Sequence, residues 1–321
     1  MFWFLILSLF AVLLARAYRN TFDLNTRRVN VAVQPSERLG ESASFEPLAV
    51  LHLSDLHMEN ISIDAERIVR DFSGQRIDLI AITGDLLDRH KNIPKAVAYV
   101  ETVMKLKPRL GTFAVFGNHD YVLAPPKLGL LKAELERIGC RVLVNQHETV
   151  LHNGVPVHVI GVDDYSTGRS NLAASFQHVP AEGVRLVLTH DPNLVLEMRD
   201  YPYDYLLSGH FHGGQIHWPK PFHLVKMGRL PKLNMVKGLH RYEGRPFYIS
   251  EGLGQTGINI RLRSRPEITL HTLVPAGSLS GHPTAETAAA ARTKSPAAKP
   301  GVVAAKPGAV ATEAARTLAL E

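Results

Sequence analysis

Residues 48–57 read LAVLHLSDLH and residues 77–85 read IDLIAITGD, so each is a short apolar run that stops at carboxylate or imidazole side chains. Three further apolar runs have the same form, at residues 113–116, 184–189 and 203–207. Short apolar runs bounded by turn-forming residues are typical of strands that are buried on both faces. We therefore predict five buried strands, each followed directly by polar side chains.

Helical patterns lie between the first three of these runs. The apolar residues at helical spacing are Ile68, Val69, Phe72, Val97, Val100, Val103 and Met104. This spacing predicts two crossover helices. Residues 141–162 read instead as sheet with a turn at Asn153-Gly154. The alternation of strands and helices predicts an α/β layered fold.

Composition divides the chain into four segments. We interpret residues 1–17 as a membrane anchor, residues 18–45 as a linker or extended lead-in, and residues 46–275 as one globular domain. Residues 276–321 are rich in Ala, Pro, Thr, Gly and Lys. A segment with so few large apolar residues cannot bury enough surface to order itself, so we predict a disordered tail.

Charge and cysteine content limit the chemistry that the chain can support. The formal net charge of +6 favours anionic partners such as phosphorylated substrates, acidic lipid or nucleic acid. The single cysteine, Cys140, excludes an internal disulfide framework and a cysteine-based metal cage. The chain contains 16 histidines, so transition-metal chemistry would use imidazole and carboxylate ligands.

Each apolar run is followed by residues that can bind a metal ion. The blocks are Asp55 and His57, then Gly84-Asp85, then Gly117-Asn118-His119-Asp120, then His190, and then Gly209-His210-Phe211-His212. The functional crevice of an open α/β sheet lies beyond the carboxyl ends of its strands, so we expect these side chains to meet at one rim. Oxygen and imidazole ligands without thiolate suit Mn, Fe, Zn or Co. Taken singly, each block also has an ordinary interpretation as a turn or a hydrogen-bonded polar residue, but the ordered combination favours a common site.

The order and spacing of these blocks resemble those of the calcineurin-like metallophosphoesterases over about residues 48–273. The resemblance implies a two-sheet β-sandwich flanked by helices, an αββα arrangement, with a site for two divalent metal ions. It implies that Asp55, His57 and His212 bind one metal. It also implies that Asn118, His190 and His210 bind the other, that Asp85 bridges the two, and that His119 protonates the leaving oxygen.

The residue types also suit phosphoryl transfer on chemical grounds. Two cations about 4 Å apart need a shared anionic bridge, which the Asp85 carboxylate would supply, and they can acidify a bridging water into hydroxide. We expect Mn, with Fe, Zn or Co as alternatives. His119 follows a candidate metal ligand, a position that suits a general acid. Asp120 has two interpretations, as an orienter of the His119 ring or as a residue of simple turn or cap chemistry.

The N-terminal segment has the composition of a membrane-directed sequence. Residues 1–15 carry no charged side chain, and arginines follow at positions 16, 19, 27 and 28. Arginines on the C-terminal side favour retention of that side in the cytoplasm, which predicts an anchor in the inner or cell membrane with the catalytic domain on the cytoplasmic side. The alternatives are a signal peptide cleaved near Ala15-Arg16-Ala17 and an ordinary buried helix.

A basic stretch after the last block bears on the substrate. No acidic residue lies between Asp204 and Glu243, and the basic residues in this stretch are Lys220, Lys226, Arg229, Lys232, Lys237 and Arg241. Their mixture with apolar residues suits contact with an anionic head group and a bilayer surface, and a solvated basic loop is the alternative. The Gly-His-x-His-Gly-Gly-Gln form of the last block resembles the bacterial, membrane-associated branch of the family, which includes phosphodiesterases and UDP-2,3-diacylglucosamine pyrophosphatases.

The sequence therefore favours metal-dependent hydrolysis of a phosphodiester or pyrophosphate bond at the membrane, with a lipid-linked substrate similar to UDP-2,3-diacylglucosamine. The alternatives are a phosphatase or phosphodiesterase acting on soluble nucleotides or proteins and a catalytically silent scaffold. The scaffold is disfavoured because no ligand position and no acid is missing. A membrane anchor and the lack of an evident aromatic stacking platform argue against a nucleic-acid substrate.

Overall fold

The computed structural model describes residues 1–34, 45–217, 221, 224, 226–276 and 278. The strands in this part of the chain are β1 (Asn25–Val33), β2 (Leu48–Leu53), β3 (Leu79–Thr83), β4 (Gly111–Val115), β5 (Cys140–Val142), β6 (Gln146–His152), β7 (Val155–Gly161), β8 (Val184–Leu188), β9 (Tyr205–Ser208), β10 (Gly238–Tyr242), β11 (Arg245–Ile249) and β12 (Glu267–Pro275). The α-helices are α1 (Phe2–Arg19), α2 (Ala65–Phe72), α3 (Ile93–Met104), α4 (Pro125–Arg137) and α5 (Leu172–Phe176).

These strands form two six-stranded mixed sheets. The first has the order β1-β12-β2-β3-β4-β5, and the second has the order β10-β11-β9-β8-β7-β6. Strands β2 to β5 are parallel to one another, as are β7, β8, β9 and β11. The antiparallel pairs are β12 with β2, β6 with β7, and β10 with β11. The predicted α/β fold with two sheets is confirmed.

Alternate residues of each central strand pack on opposite sides of the first sheet. In β2, Leu48 and Val50 pack between the two sheets, whereas Leu51 and Leu53 pack against the helices. Strand side chains alternate in direction, so a fully apolar strand supplies both cores. A third core cluster lies on the far face of the second sheet and includes residues of α5 and of the helical turn Pro192–Glu197, so the order of layers is that of the αββα expectation.

The predicted crossover helices are present as α2 and α3. The buried residues of α2 are Ala65, Ile68 and Phe72, whose spacing places them on one face of the helix. The Phe72 side chain is fully buried in the core between the helices and the first sheet. Replacing such a phenylalanine with alanine destabilises a protein by about 3–5 kcal/mol.

Part of the segment that we interpreted as a linker is a strand. All nine residues of β1 pair in parallel with β12 at the edge of the first sheet. Val29, Val31 and Val33 alternate with more exposed residues and are buried between the sheets, which is the reason that this segment joins the sheet. Residues 35–44 of that segment, and all of the predicted tail except Ala276 and Ser278, lie outside the described residues.

The N-terminal helix is long and apolar enough to cross a membrane, a property shared by anchors and signal sequences. With the short turn that continues it, it covers the 21 residues Phe2–Phe22. Spanning a bilayer takes about 20 apolar residues. Ala17 is the one residue of α1 that is buried, so the interpretation as an ordinary buried helix is wrong.

Candidate metal centre

The metal-ligand candidates meet where strands of both sheets end. Asp55 and His57 follow β2, Asp85 follows β3, and Asn118 follows β4. The second sheet contributes the remaining candidates, which are His190 after β8 and His210 and His212 after β9. The convergence predicted from the sequence is present, but the five strand ends belong to two packed sheets and not to one.

One cluster consists of Asp55, His57 and His212, all of them buried. The Nε2 atom of His212 lies 3.3 Å from Oδ1 of Asp55. The Nε2 atoms of His57 and His212 lie 3.2 Å apart. The ligand atoms of all three residues lie within 4.8 Å of one another, so a single cation can be held by them.

A second buried cluster consists of Asp85, His190 and His210. Nε2 of His190 lies 3.1 Å from Oδ2 of Asp85 and 3.1 Å from Nδ1 of His210. The same Oδ2 atom of Asp85 lies 3.5 Å from Nε2 of His57, which belongs to the first cluster. Asp85 therefore lies between the two clusters, where a bridging carboxylate is needed.

The residues present fit divalent cations. Two pairs of imidazole nitrogens face each other, and two neutral rings can satisfy such a contact only if one ring nitrogen donates and the other accepts. The Oδ1 atom of Asn118 is buried without a hydrogen-bond partner among the described residues. The Nδ1 atom of His190 lies 2.8 Å from the carbonyl oxygen of Thr83, which leaves its Nε2 free to bind a metal.

The backbone at the site is strained. Five candidate ligands have positive φ, and they are Asp55, His57, Asp85, His210 and His212. Residues other than glycine adopt this conformation rarely, and each instance costs on the order of 1–3 kcal/mol. The surrounding fold holds these residues in place, and the unusual backbone turns their side chains toward one another immediately after each strand.

Two glycines leave the space that the carboxylates occupy. A Cβ atom at Gly117 would overlap the Asp85 carboxylate, and one at Gly209 would overlap the carboxylate of Asp55. Both glycines directly precede candidate ligands in the sequence blocks described above. Both positions therefore require glycine, because the backbone there lies too close to the ligand carboxylates for a Cβ atom.

The structure places Asp88, which the sequence analysis did not single out, between two histidines. Its Oδ1 atom lies 3.0 Å from Nδ1 of His57 and 3.1 Å from Nδ1 of His119. A carboxylate on Nδ1 fixes the orientation of an imidazole ring and presents its Nε2 to the site. Asp88 follows Asp85 by three residues, but this spacing in a loop does not show that Asp88 contacts the two histidines.

Asp120 does not orient the His119 ring. One of its carboxylate oxygens accepts hydrogen bonds from the backbone N–H groups of Leu86 and Leu87, and the other accepts one from Gly117. These bonds hold the loops after β3 and β4 together. The turn interpretation of Asp120 therefore describes its contacts, and the carboxylate beside the His119 ring is that of Asp88.

The electrostatics of the site favour bound positive charge. Burial opposes the charged form of His57, but hydrogen bonds to Asp85 and Asp88 outweigh burial and raise the pKa of His57 to about 10. The pKa of His190 is also raised well above its ordinary value, because the Asp85 carboxylate outweighs the effect of burial. Protons occupy these imidazoles in the absence of metal, and a bound cation has to displace them.

The site opens through a pocket with a mixed polar and apolar lining. The lining residues are Asp85, Asn118, His119, His210, Phe211, His212, Gln215, Leu224, Met227 and Thr256. In the predicted basic stretch, Lys226, Arg229 and Lys232 are exposed, whereas Lys237 forms an ion pair with Glu251 at 3.1 Å. Lys220 lies outside the described residues.

Three proteins similar to this chain are named as a metallophosphoesterase, a phosphodiesterase and a pyrophosphatase. It is 52% identical over 269 residues to the uncharacterized metallophosphoesterase YkoQ of Bacillus subtilis, an alignment that covers 84% of this chain and 97% of that protein. It is 33% identical over 237 residues to the phosphodiesterase YaeI of Escherichia coli, with 71% and 83% covered. It is 25% identical over 279 residues to the UDP-2,3-diacylglucosamine pyrophosphatase LpxG of Chlamydia trachomatis, with 71% and 84% covered.

Residues 48–214 match the family model described as calcineurin-like phosphoesterase. The match covers the five strand-end blocks and both clusters of buried Asp and His residues. The chain therefore belongs to the calcineurin-like phosphoesterase family and is a metal-dependent hydrolase of phosphoester bonds.

Proposed function

We propose that the protein is a membrane-anchored hydrolase of a phosphodiester or pyrophosphate bond in a lipid-linked substrate, with two divalent metal ions at its site. The main support for the proposal is that one residue, Arg261, connects the apolar helix α1 to the metal site by hydrogen bonds. The backbone N–H of Arg261 donates to the carbonyl of Ala17 in α1, while its guanidinium group donates to the carbonyls of Gly252 and Gly254. Gly254 in turn donates to the carbonyl of Asp55.

In this proposal each cluster binds one metal. Asp55, His57 and His212 hold the first, and Asn118, His190 and His210 hold the second. Asp85 bridges them, a role supported by the contacts of its Oδ2 atom with a histidine of each cluster. Metals held there would supply an acidified water as nucleophile and positive charge for the phosphoryl oxygens. Imidazole and oxygen ligands favour Mn, with Fe, Zn or Co as alternatives.

His119 is the proposed general acid. Burial alone would lower the pKa of His119, but the hydrogen bond to Asp88 and the charge of Asp85 raise it above its ordinary value. The His119 side chain is 31% exposed, so a substrate can reach it. Because Asp88 contacts Nδ1, the Nε2–H group is the one available to protonate the leaving oxygen.

The packing of α1 supports an anchor over a cleaved signal. Ala17 is only 5% exposed, and Thr21 is fully buried and accepts a hydrogen bond from Ser62. Asn20 donates to the carbonyl of Arg261 at 2.9 Å. Cleavage near Ala17 would remove contacts of the folded domain, whereas an anchor retains them. The arginines in the last turn of α1 favour a domain on the cytoplasmic side.

The names of two relatives and the proposed anchor both support a lipid-linked substrate. YaeI is named a phosphodiesterase, and LpxG is named for the hydrolysis of UDP-2,3-diacylglucosamine. An anchored enzyme meets lipid-linked substrates at high local concentration, because both are confined to one surface. The exposed Lys226, Arg229 and Lys232 add attraction to anionic lipid, about 1 kcal/mol per charge near the surface.

A substrate panel on the full chain in lipid vesicles tests this function. The panel contains UDP-2,3-diacylglucosamine, a phospholipid diester, a cyclic nucleotide and bis-p-nitrophenyl phosphate, each assayed with Mn, Fe, Zn, Co and Mg. We expect the highest kcat/KM with one of the lipid-linked substrates. Equal or faster turnover of the soluble nucleotide would reject the lipid part of the proposal and favour a soluble phosphoester.

A further inference from the structure

An apolar groove runs between the membrane helix and the catalytic domain. It has a volume of about 680 Å³, within the range of ligand-binding cavities. Its walls are Phe10, Leu13 and Leu14 of α1 on one side and Ile216, Ile260 and Leu262 of the domain on the other. Its remaining lining residues, near the C-terminal end of α1, are Arg16, Ala17, Asn20, Arg263, Ser264 and Arg265. The groove is therefore apolar along the helix and charged where the helix joins the domain.

The groove and the metal pocket share a wall. Gln215 lines the metal pocket, and the next residue, Ile216, lines the groove. The carbonyl of Gln215 accepts a hydrogen bond from the backbone of Leu262 at 2.8 Å, which holds the two segments together. On the other side of the wall, the hydroxyl of Ser264 donates to the carbonyl of the candidate ligand His212.

Two exposed isoleucines flank the rim between the pocket and the groove. The side-chain amide of Gln215 donates to the carbonyls of Thr256 and Ile258, so these residues form the rim. Ile216 is 40% exposed and Ile258 is 70% exposed. A molecule that extends from the metal pocket across this rim meets apolar side chains before it reaches the groove.

The position of the groove along α1 identifies its occupant. Phe10 to Ala17 spans about 10 Å of helix at 1.5 Å per residue, and this part of an anchor lies in the outer hydrocarbon and interfacial region of a leaflet. With α1 as an anchor, Arg16, Arg263 and Arg265 at the end of the groove would lie where such side chains reach lipid head groups. Hydrocarbon chains of lipids are the apolar material available at that depth.

We propose that this groove is the acyl subsite of the enzyme, which rests on the lipid-linked substrate class proposed above. One acyl chain of the substrate lies between α1 and the side chains of Ile216, Ile260 and Leu262, and its phosphoester crosses the Gln215–Thr256 rim to the metal pocket. The anchor helix thus forms one wall of the substrate site in addition to holding the enzyme at the membrane.

Alkyl p-nitrophenyl phosphates with methyl, octyl or hexadecyl chains test the subsite on the full chain in vesicles. The readout is the ratio of kcat/KM for the hexadecyl ester to that for the methyl ester. We expect the double variant Ile216→Gln and Ile260→Gln to lower this ratio by about tenfold or more, since each methylene withdrawn from apolar surroundings changes affinity about fourfold. We expect Leu13→Trp, which fills the groove from the helix side, to shift the preference to the octyl ester.

Leu130→Gln is the matched control, because Leu130 is 43% exposed on α4 and does not line the groove. It should keep the wild-type ratio, and metal content should be equal in all variants. If the wild-type ratio is high and the groove variants do not change it, the acyl subsite is wrong. The lipid-linked function would still be supported in that case. A wild-type ratio near unity would instead reject the lipid-linked function.

Discussion

Replacement of Asp88 by Asn removes the negative charge that contacts the Nδ1 atoms of both His57 and His119, at 3.0 and 3.1 Å. A hydrogen bond to a charged group contributes about 1.5–3 kcal/mol, and we take the lower end because the Asp88 side chain is 31% exposed. A loss of about 1.4 kcal/mol corresponds to a factor of ten. We therefore expect kcat at neutral pH and saturating metal to fall about tenfold.

The pH profile gives the direction of the effect. Asp88 raises the pKa of His119, so the variant has a His119 ring with a lower pKa that loses its proton at lower pH. A general acid acts only while it is protonated, so the basic limb of the kcat profile should move to lower pH. The loss should be large for an alkoxide leaving group and small for p-nitrophenolate, which needs little protonation.

Asp120→Asn is the matched comparison, because its carboxylate bonds to backbone N–H groups and the His119 ring is not among its partners. It should alter stability without a dependence on the leaving group. Metal content measured after gel filtration separates effects on His57 from effects on His119. Equal losses on good and poor leaving groups in Asp88→Asn, or a leaving-group dependence in Asp120→Asn, would refute this reasoning.

Four further predictions concern the metal site and the proposed anchor. His119→Ala should lower turnover about a hundredfold or more with metal content nearly intact, and less with activated esters. Gly209→Ala should abolish metal binding by the first cluster, because the added Cβ overlaps the Asp55 carboxylate, as metal analysis would show. Metal affinity should rise with pH, because the pKa of His57 is raised to about 10 and a bound metal must displace its proton. Calorimetry in buffers of different ionisation enthalpy would detect the released proton. Deletion of residues 2–14, which spares Ala17, should release the protein from membranes while hydrolysis of bis-p-nitrophenyl phosphate continues.

The strands and the candidate ligands could be predicted because the signals are local. The buried strands are apolar on both faces, so the run that ends at Leu53 identifies β2 from its own residues. Each ligand block lies within a few residues of a strand end, and the parallel arrangement of the strands brings such ends together. The sequence analysis could not show that two sheets share the rim, since sheet membership depends on pairing between distant residues.

The features that the sequence analysis missed depend on contacts between distant segments. Strand β1 is held by pairing with β12, which begins more than two hundred residues later in the chain. Arg261 is fully buried, and it donates to four backbone carbonyls and to the Ser264 hydroxyl. A buried guanidinium group needs several hydrogen-bond partners, and neither the partners nor the burial can be read from the residues beside Arg261.

Metal stoichiometry of the wild type and of Asp85→Asn, measured together with chelator sensitivity, tests the dinuclear site most directly. We expect two metal ions per wild-type chain, loss of activity with a strong chelator, and recovery with Mn more readily than with Ca. Asp85→Asn should lose at least one metal and nearly all activity, because it removes the charge that lies between the clusters. Two ions bound to Asp85→Asn with undiminished affinity, or hydrolysis that survives the chelator, would contradict the dinuclear site.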